Sequence, residues 1–489
     1  MNGLRKAVFF ATGDQQFLLG ANFVIAVVTS RLMPPNEIGV AVLGAAAVGL
    51  ITALREYATS TYLIKHSDRS QADLQGALSA IIFANALLLL GLALIAPLAG
   101  WLYADDRVTV YLRILAVALM IEAFAMPVLA VLRSELEFAQ AAAVSVVGTL
   151  FSLVTTLVLA WLGYGFTSFA IGILAGTTAS AVMGLILRPR FWFFRPTLTA
   201  WRDVFAFGGY NGTSSLLRQL FDSMPYLVLG HFLSLDAVAY YHRALMLSQL
   251  PAKLLLSGVE NLMLPALVKQ GRQSASMKDT FLRTIDCVTG IYWPAILVAA
   301  ILADPLIRLL YGDAWLPAAP IFQIMAVAAM FVFMGKLDAS MLVAAGGLKD
   351  LVRRSLIAFP LSAAISTVGA MLGVMALAWS YWITNPILLF TSLIFLRRHI
   401  AFTWADLGGA LSRSAVVSLI SAAIPLALVI VFGSHDVPLA MLCAASISAV
   451  LMWFFALWLT RHTLWTEATA RRPPGPEVSD RLADVRADG

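Results

Sequence analysis

Fourteen apolar segments, most of them about 20 residues or longer and separated by short polar stretches, dominate this sequence. A helix needs about 20 consecutive apolar residues to cross a bilayer, whereas a barrel strand needs only about ten residues of alternating polarity. Charged residues make up 12% of the 489 positions, about half the share of a soluble domain. These features predict an all-α integral membrane protein. The predicted transmembrane helices are 8–30, 38–63, 75–98, 109–131, 140–161, 165–187, 204–230, 237–264, 284–303, 318–345, 356–375, 377–396, 414–432 and 437–460.

The distribution of lysine and arginine predicts the orientation, because cytoplasmic loops carry an excess of basic residues. Of the 33 basic residues, 24 fall in segments on one side of the predicted topology and six fall inside helices. The opposite side carries only Arg31, Arg107 and Arg308. We therefore expect both termini in the cytoplasm.

The chain also contains an internal repeat at an offset of about 200–210 residues. For example, Leu-Tyr-Ala-Asp at 102–105 corresponds to Leu-Tyr-Gly-Asp at 310–313. An even number of helices separates the copies, which predicts two six-helix bundles related by a pseudo-twofold axis along the membrane normal. The expected bundles are 1–187 and 204–396, joined by a basic amphipathic cytoplasmic linker at 188–203. Two additional transmembrane helices at 397–460 and a disordered cytoplasmic tail at 461–489 follow.

Basic side chains inside the predicted helices are candidate substrate-binding groups, because a charge at a helix centre costs about 2.5–3.5 kcal/mol to insert. Arg113 and Arg243 lie near the predicted outer helix ends, where long side chains can instead reach the interface. The deeper cations favour an anionic substrate group such as a phosphate or pyrophosphate. The six candidate cations of the predicted cavity are Arg55, Arg113, Arg218, Arg243, Lys253 and Lys336.

Two acidic residues within the helices, Glu122 and Asp222, are candidate ion-coupling groups. Asp222 follows Arg218 by four residues and therefore shares its helix face. The pair is either a buried structural ion pair or a pair that lines a cavity.

The sequence contains no pattern typical of a catalytic or cofactor site. The six histidines lack metal-ligand spacing, and we predict neither a metal nor a cofactor. Cys287 and Cys443 lie in apolar segments and do not suggest a disulfide framework. The net charge of +6 is concentrated in the predicted cytoplasmic segments, which favours membrane lipid over nucleic acid as a partner.

Several motifs at predicted turns resemble those of a known family: SRLMPPNEIG at 30–39, FGG at 207–209, VAYYHRA at 238–244 and DPLIRLLYGDAW at 304–315. Over roughly residues 5–460, the chain resembles the polysaccharide transporter flippases of the multidrug/oligosaccharidyl-lipid/polysaccharide (MOP) exporter superfamily. The family usually has Gly at the position of Ala239 and often Asn at that of His242. Because the motifs lie at turns, we expect a structural role for them.

The resemblance implies a flippase that works by alternating access in a bacterial inner membrane. It would move undecaprenyl-pyrophosphate-linked oligosaccharide to the periplasmic leaflet, for lipopolysaccharide O-antigen or exopolysaccharide synthesis. A polysaccharide polymerase and chain-length machinery are then the expected protein partners.

Two alternatives remain at this stage. One is a cation-coupled multidrug or small-molecule exporter of the same superfamily. The other is a membrane polysaccharide polymerase or ligase, which needs a sizeable outer loop. The longest predicted outer stretch, near Ala303–Pro317, has only about fifteen residues, so no enzyme activity is expected.

Overall fold

The computed structural model describes residues 2–56, 71–135, 137–189, 219–270, 274–334, 341–342, 347–433 and 438–469. The predicted linker at 188–203 lies almost entirely outside these ranges, as do residues 470–489 of the predicted tail. The described chain is helical almost throughout and contains no β-strand in these ranges. In chain order the helices are α1 (Asn2–Leu32), α2 (Pro35–Glu56), α3 (Gln71–Leu102), α4 (Asp106–Ser134), α5 (Phe138–Trp161), α6 (Thr167–Leu187), α7 (219–232), α8 (Leu235–Gln270), α9 (Ser274–Ile301), α10 (Ala303–Tyr311), α11 (Ala318–Ala329), α12 (Leu348–Leu372), α13 (Val374–Leu396), α14 (Trp404–Phe432), α15 (Leu439–Leu459) and α16 (Thr463–Thr469).

Each of the fourteen predicted spans overlaps a helix of the described residues, and parts of the spans 38–63, 204–230 and 318–345 lie outside the described ranges. Ten helices within the described ranges are long and apolar enough to cross a membrane. The other four predicted spans correspond to α1, α7, α8 and the short apolar helix that begins with α11. Large apolar side chains lie exposed on several of the spans, among them Leu94, Leu419 and Ile430. Such side chains suit a lipid environment, so the all-α integral membrane fold is confirmed.

The structure differs from the sequence prediction at two connections. The expected outer loop near Ala303–Pro317 contains α10 and a 3-10 turn, Asp313–Trp315. The expected disordered tail begins instead with α16, because His462 is buried against α9 and Thr463 bonds to that helix. The predicted spans 356–375 and 377–396 are separated instead at Gly373, the single residue between α12 and α13, and its φ of +134° favours glycine.

The chain divides into two compact units, which cross the predicted bundle boundaries. Unit 1 contains Met1–Leu250, Ala303–Val332 and Leu348–Leu393, and unit 2 contains Pro251–Leu302, Phe333–Gly347 and Ile394–Gly489. In unit 1 a buried core joins α2, α3 and α4, with Leu43, Leu92 and Tyr111 among its members. The predicted domain bounds stay a prediction.

Glycines allow α5 and α6 to pack closely. A Cβ atom on Gly172 would lie 1.9 Å from the Thr156 hydroxyl, and one on Gly176 would lie 2.8 Å from the Gly148 carbonyl oxygen. Helices in lipid associate through such close approaches, because no hydrophobic effect drives them together.

The repeat predicted from the sequence has a backbone counterpart. In its first copy Ala104 follows the end of α3 with φ of +50°, and in its second copy Gly312 follows the end of α10 with φ of +94°. Both copies thus place a residue of positive φ after the helix, and Gly312 combines it with an extended ψ of 175°.

Loops that the predicted topology assigns to one side of the membrane meet in unit 1. Glu37, from the first such loop, bonds to Arg107 and to the backbone N–H of Phe166. On the other side Arg188 pairs with Glu135 at 2.6 Å. The alternation of loops therefore agrees with the structure, whereas the side that faces the cytoplasm stays a prediction.

Candidate functional site

Three of the six predicted cavity cations fall outside the described structure. Arg218 and Lys336 lie in ranges that are not described, and Arg55 belongs to a helix end whose side chains are not described. Arg113 on α4 and Lys253 on α8 are exposed side chains of unit 1 and unit 2, respectively. That these cations bind a substrate stays a prediction.

Asp222, one of the two candidate ion-coupling acids, lies near three tyrosines of unit 1, of which Tyr241 is buried and Tyr226 and Tyr381 are half-buried. The hydroxyl oxygens of Tyr241 on α8 and Tyr381 on α13 are 2.6 Å apart, and the rings of Tyr226 and Tyr241 lie 5.2 Å apart. The Asp222 carboxylate, exposed on α7, interacts electrostatically with all three. Glu122, the other candidate, is half-buried on α4.

Arg243 is the predicted cation whose surroundings the structure describes most fully. Its side chain does not reach the interface: the residue is only 3% exposed. The guanidinium donates hydrogen bonds to the hydroxyl of Ser30 at 2.9 Å and to that of Thr29 at 3.3 Å. Its Cζ atom also lies 5.6 Å and 5.5 Å from the ring centroids of Tyr311 and Trp315. Hydroxyls and aromatic faces thus surround this buried charge.

Two more side chains join the same elements. The indole N–H of Trp315 donates to the carbonyl oxygen of Ser30 at 2.7 Å. Arg31 donates to the carbonyl oxygen of Leu310 at 3.1 Å and also to that of Leu309. We call Thr29, Ser30, Arg31, Arg243, Tyr311 and Trp315 together the Arg243 clasp, which ties the end of α1 to the start of α8 and to α10 with its following turn.

The clasp unites three of the motifs on which the family resemblance rests. It draws residues from the segments 30–39, 238–244 and 304–315. The first segment lies more than 190 residues before the other two. Gly39, in the first motif, lies where α2 meets α8, and a Cβ there would fall 2.0 Å from the Leu235 carbonyl oxygen. The motifs therefore have the structural role that their turn positions predicted, but their convergence was not predicted.

A second polar network lies at the same end of unit 1. Arg107 pairs with Glu37 at 3.2 Å and with Asp105 at 2.7 Å, while Glu37 accepts the N–H of Phe166 at 2.7 Å. Hydrogen bonding from Arg107 lowers the pKa of Asp105, outweighing the opposing effect of partial burial. This network connects three loops and stabilises that end of the bundle.

Unit 2 contains a buried cluster that the sequence analysis did not single out. His462 is fully buried, and its Nε2 lies 2.9 Å from a carboxylate oxygen of Asp286 and 3.1 Å from the Ser414 hydroxyl. Its Nδ1 accepts the N–H of Leu464 at 3.2 Å, which is compatible with a neutral ring protonated at Nε2. Thr463 donates to the other Asp286 oxygen. The cluster fastens α16 to α9 and α14.

Unit 2 also contains an apolar cavity of about 320 Å³ between α9, α14 and α15. Its lining includes Ile291, Val298, Val450 and Trp453. Such a lining suits hydrocarbon better than a charged group. Across the described ranges, no group of three or more His, Cys, Asp and Glu side chains could hold a metal ion.

Comparison with known proteins establishes the family. The model of a family described as polysaccharide biosynthesis proteins matches residues 28–320, more than half of the chain. The chain belongs to this family. The resemblance read from the turn motifs is therefore confirmed. The matched segment contains the entire Arg243 clasp, so the clasp is part of the polysaccharide biosynthesis protein itself and not of an added segment.

Two relatives of this polysaccharide biosynthesis protein come from bacteria. The teichuronic acid biosynthesis protein TuaB of Bacillus subtilis is 22% identical over 300 residues, which are 58% of this chain and 59% of TuaB. The lipopolysaccharide biosynthesis protein WzxC of Escherichia coli is 21% identical over 333 residues, 67% of each chain. The match thus spans about three fifths of the length of TuaB.

Among solved structures, the lipid II flippase MurJ in an inward closed conformation has a similar fold. Its TM-score is 0.74 at 14% sequence identity, and the match covers 95% of this chain and all of MurJ. At this identity the similarity concerns the fold alone. The polysaccharide biosynthesis protein is therefore a multi-pass membrane protein with the fold of a helical transporter.

Proposed function

We propose that this protein is a flippase for lipid-linked oligosaccharides. It moves undecaprenyl-pyrophosphate-linked repeat units from the cytoplasmic to the periplasmic leaflet of a bacterial inner membrane, for O-antigen or exopolysaccharide synthesis. The observation that carries the proposal is membership of the polysaccharide biosynthesis family combined with a fold that extends over the whole of the lipid II flippase.

The charged groups within the helices support an anionic substrate. Arg55, Arg218, Lys253 and Lys336 are the proposed contacts of the diphosphate, because guanidinium binds phosphate oxygens in pairs and ammonium acts as a point charge. The glycan passes between the bundles, and the polyprenyl chain stays in lipid. Both termini are then cytoplasmic, as the distribution of basic residues predicts.

Asp222 is the better supported of the two candidate coupling acids. Its carboxylate is exposed on α7 and interacts with Tyr226, Tyr241 and Tyr381. A carboxylate of this kind can bind or release a proton or a cation as its surroundings change. Glu122 on α4 is the second candidate.

The alternative functions have weaker support. A multidrug exporter has no need of an oligosaccharide pathway, and the two relatives described above are named for teichuronic acid and lipopolysaccharide biosynthesis. A polymerase or ligase needs a catalytic outer loop, whereas much of the longest predicted outer stretch forms α10 and a 3-10 turn packed on α1. A polymerase is instead the proposed partner that receives the product, together with chain-length machinery.

The test is a deletion strain complemented with the wild-type gene or with Arg218→Ala, Lys253→Ala or Lys336→Ala. Arg353→Ala is the control, because this arginine is 67% exposed and pairs with Asp350 within α12. Surface polysaccharide and the leaflet position of the lipid-linked intermediates are measured at matched membrane levels of each variant.

We expect intermediates to accumulate in the cytoplasmic leaflet of the deletion strain. The three substrate-contact variants should fail to restore polysaccharide, whereas Arg353→Ala should restore it. Intermediates that reach the outer leaflet but remain unpolymerised in the deletion strain would refute the flippase and favour the polymerase.

A further inference from the structure

We infer that the Arg243 clasp is an anion-operated gate at the predicted outer end of the helices. The gate opens when the diphosphate of the substrate binds the Arg243 guanidinium. This inference rests on the proposed function for the identity of the anion. It assigns Arg243 a role in releasing substrate, in place of the simple cavity contact expected from the sequence.

The first argument concerns charge. Arg243 is nearly completely buried, and its contacts within the described part of the chain are two hydroxyls and two aromatic faces. A guanidinium has five N–H donors, and a buried charge is best stabilised by an opposite charge with matching geometry. Two of its nitrogens donate to these hydroxyls, and neutral partners leave its charge uncompensated. A diphosphate would offer paired, charge-assisted hydrogen bonds that these hydroxyls cannot match.

The second argument concerns the bonds that close the clasp. Trp315 and Arg31 make side-chain hydrogen bonds to main-chain carbonyl oxygens, and among the described residues Arg243 donates hydrogen bonds only to hydroxyls. None of these contacts is an ion pair between two charged side chains. Bonds of this kind exchange readily for bonds to water or to a ligand. The clasp is therefore suited to open and close.

The third argument concerns position. The clasp joins the end of α1 to the start of α8 and to the segment after α10, and these come from the two copies of the sequence repeat. Transporters with such repeats alternate access by moving one repeat against the other. A contact between the copies at one end must therefore break when that end opens.

These arguments specify how the substrate drives opening. A ligand shifts a conformational equilibrium only by binding one state more tightly than the other. In the closed clasp Arg243 is shielded by Ser30, Tyr311 and Trp315, so the diphosphate can bind it only after the clasp separates. The presence of the anion consequently favours the open state, and a neutral lipid of similar size does not.

The experiment measures access to the clasp by cysteine labelling. In a background with Cys287→Ala and Cys443→Ala, Thr29→Cys replaces a fully buried clasp residue. Ser168→Cys is the matched control, because Ser168 is equally buried and bonds to Gly165 away from Arg243. The full-length protein in proteoliposomes reacts with a membrane-impermeant maleimide in the presence of farnesyl pyrophosphate, inorganic pyrophosphate or farnesol.

We expect farnesyl pyrophosphate to accelerate labelling of Thr29→Cys on the order of tenfold, equivalent to a shift of about 1.4 kcal/mol in the gate equilibrium. Farnesol and the Ser168→Cys control should show no acceleration. A response to inorganic pyrophosphate as well would assign recognition to the diphosphate alone. If Thr29→Cys does not fold, Ser30→Cys serves as the reporter.

Two variants distinguish the residue that binds the anion, Arg243, from a residue that only holds the clasp closed, Trp315. Arg243→Gln should label fast without ligand and gain nothing from farnesyl pyrophosphate. Trp315→Phe, which keeps an aromatic side chain and loses the N–H donor to Ser30, should also label faster without ligand but retain the response to farnesyl pyrophosphate. An unchanged response in Arg243→Gln, or equal acceleration by farnesol, would overturn the inference.

The outcomes also distinguish the gate from the proposed function. If the deletion strain traps intermediates in the cytoplasmic leaflet but the reporter ignores farnesyl pyrophosphate, the gate fails and the flippase stands. If the reporter responds through Arg243 but the deletion strain makes normal polysaccharide with normally placed intermediates, the anion-operated gate stands and the assigned substrate fails.

Discussion

Adding one methyl group at Gly39 tests how closely α2 and α8 must pack. The new Cβ would lie 2.0 Å from the Leu235 carbonyl oxygen and 2.6 Å from its carbon, whereas carbon–oxygen contacts are normally about 3.3 Å or longer. The two helices must therefore separate by roughly 1 Å. Backbone cannot rotate away as a side chain can, and the ring of Tyr111 already occupies the space beside Gly44 on α2. We expect Gly39→Ala to cost about 3 kcal/mol, the upper end for overpacked sites.

Gly91→Ala is the matched control for this prediction. Gly91 lies within α3, and a Cβ there would meet nothing within 4 Å. Alanine should therefore stabilise that helix by about 0.8–1 kcal/mol. The assay is the free energy of unfolding in detergent, obtained by SDS titration and followed by circular dichroism, with Thr29→Cys labelling as a second readout. Equal free energies for the two variants would refute the packing argument, and so would unchanged labelling in Gly39→Ala.

Two further predictions concern ionic contacts. Because Arg107 lowers the pKa of Asp105, the pair stabilises the fold fully above the unfolded carboxyl pKa, near 3.9, and loses this effect as the pH falls through the lower folded value. The melting temperature should therefore fall between pH 5 and pH 3 by more in the wild type than in Arg107→Gln, and equal falls would contradict this. In unit 2, Asp286→Ala removes the acceptor beside His462, so α16 should detach and trypsin should cleave after the exposed Arg461 faster. Unchanged cleavage would show that α16 is held by other contacts.

Much of the fold could be predicted because hydrophobicity acts locally along a membrane chain. A run of about 20 apolar residues must satisfy its own backbone hydrogen bonds in lipid, so it becomes a helix whatever its neighbours are. The helices that the structure describes at the predicted spans follow from this rule. The rule does not extend to α10 and α16, which are short and amphipathic or polar and which fold by packing on other helices.

The candidate site was predictable only in part, for a related reason. Insertion cost identifies charged residues that need a partner, and Arg243 was among them. The partner itself depends on which helices meet, and the hydroxyl of Ser30 lies 213 positions away in sequence. A contact between residues so far apart in the chain leaves no local pattern in the sequence from which it could be predicted. The buried pair of Asp286 and His462 could not be predicted for the same reason, because the two residues are 176 positions apart.

The sequence by itself determined the membrane class and the positions of the apolar helices that the structure describes, because both depend on the transfer of short segments from water to lipid. Its turn motifs also indicated the family. The tertiary structure alone decided what the motifs do. It brings the ends of α1 and α10 and the start of α8 together, and buries Arg243 among hydroxyls and rings. The distinction is physical: a span forms from its own residues, whereas the clasp exists only where three distant helices meet.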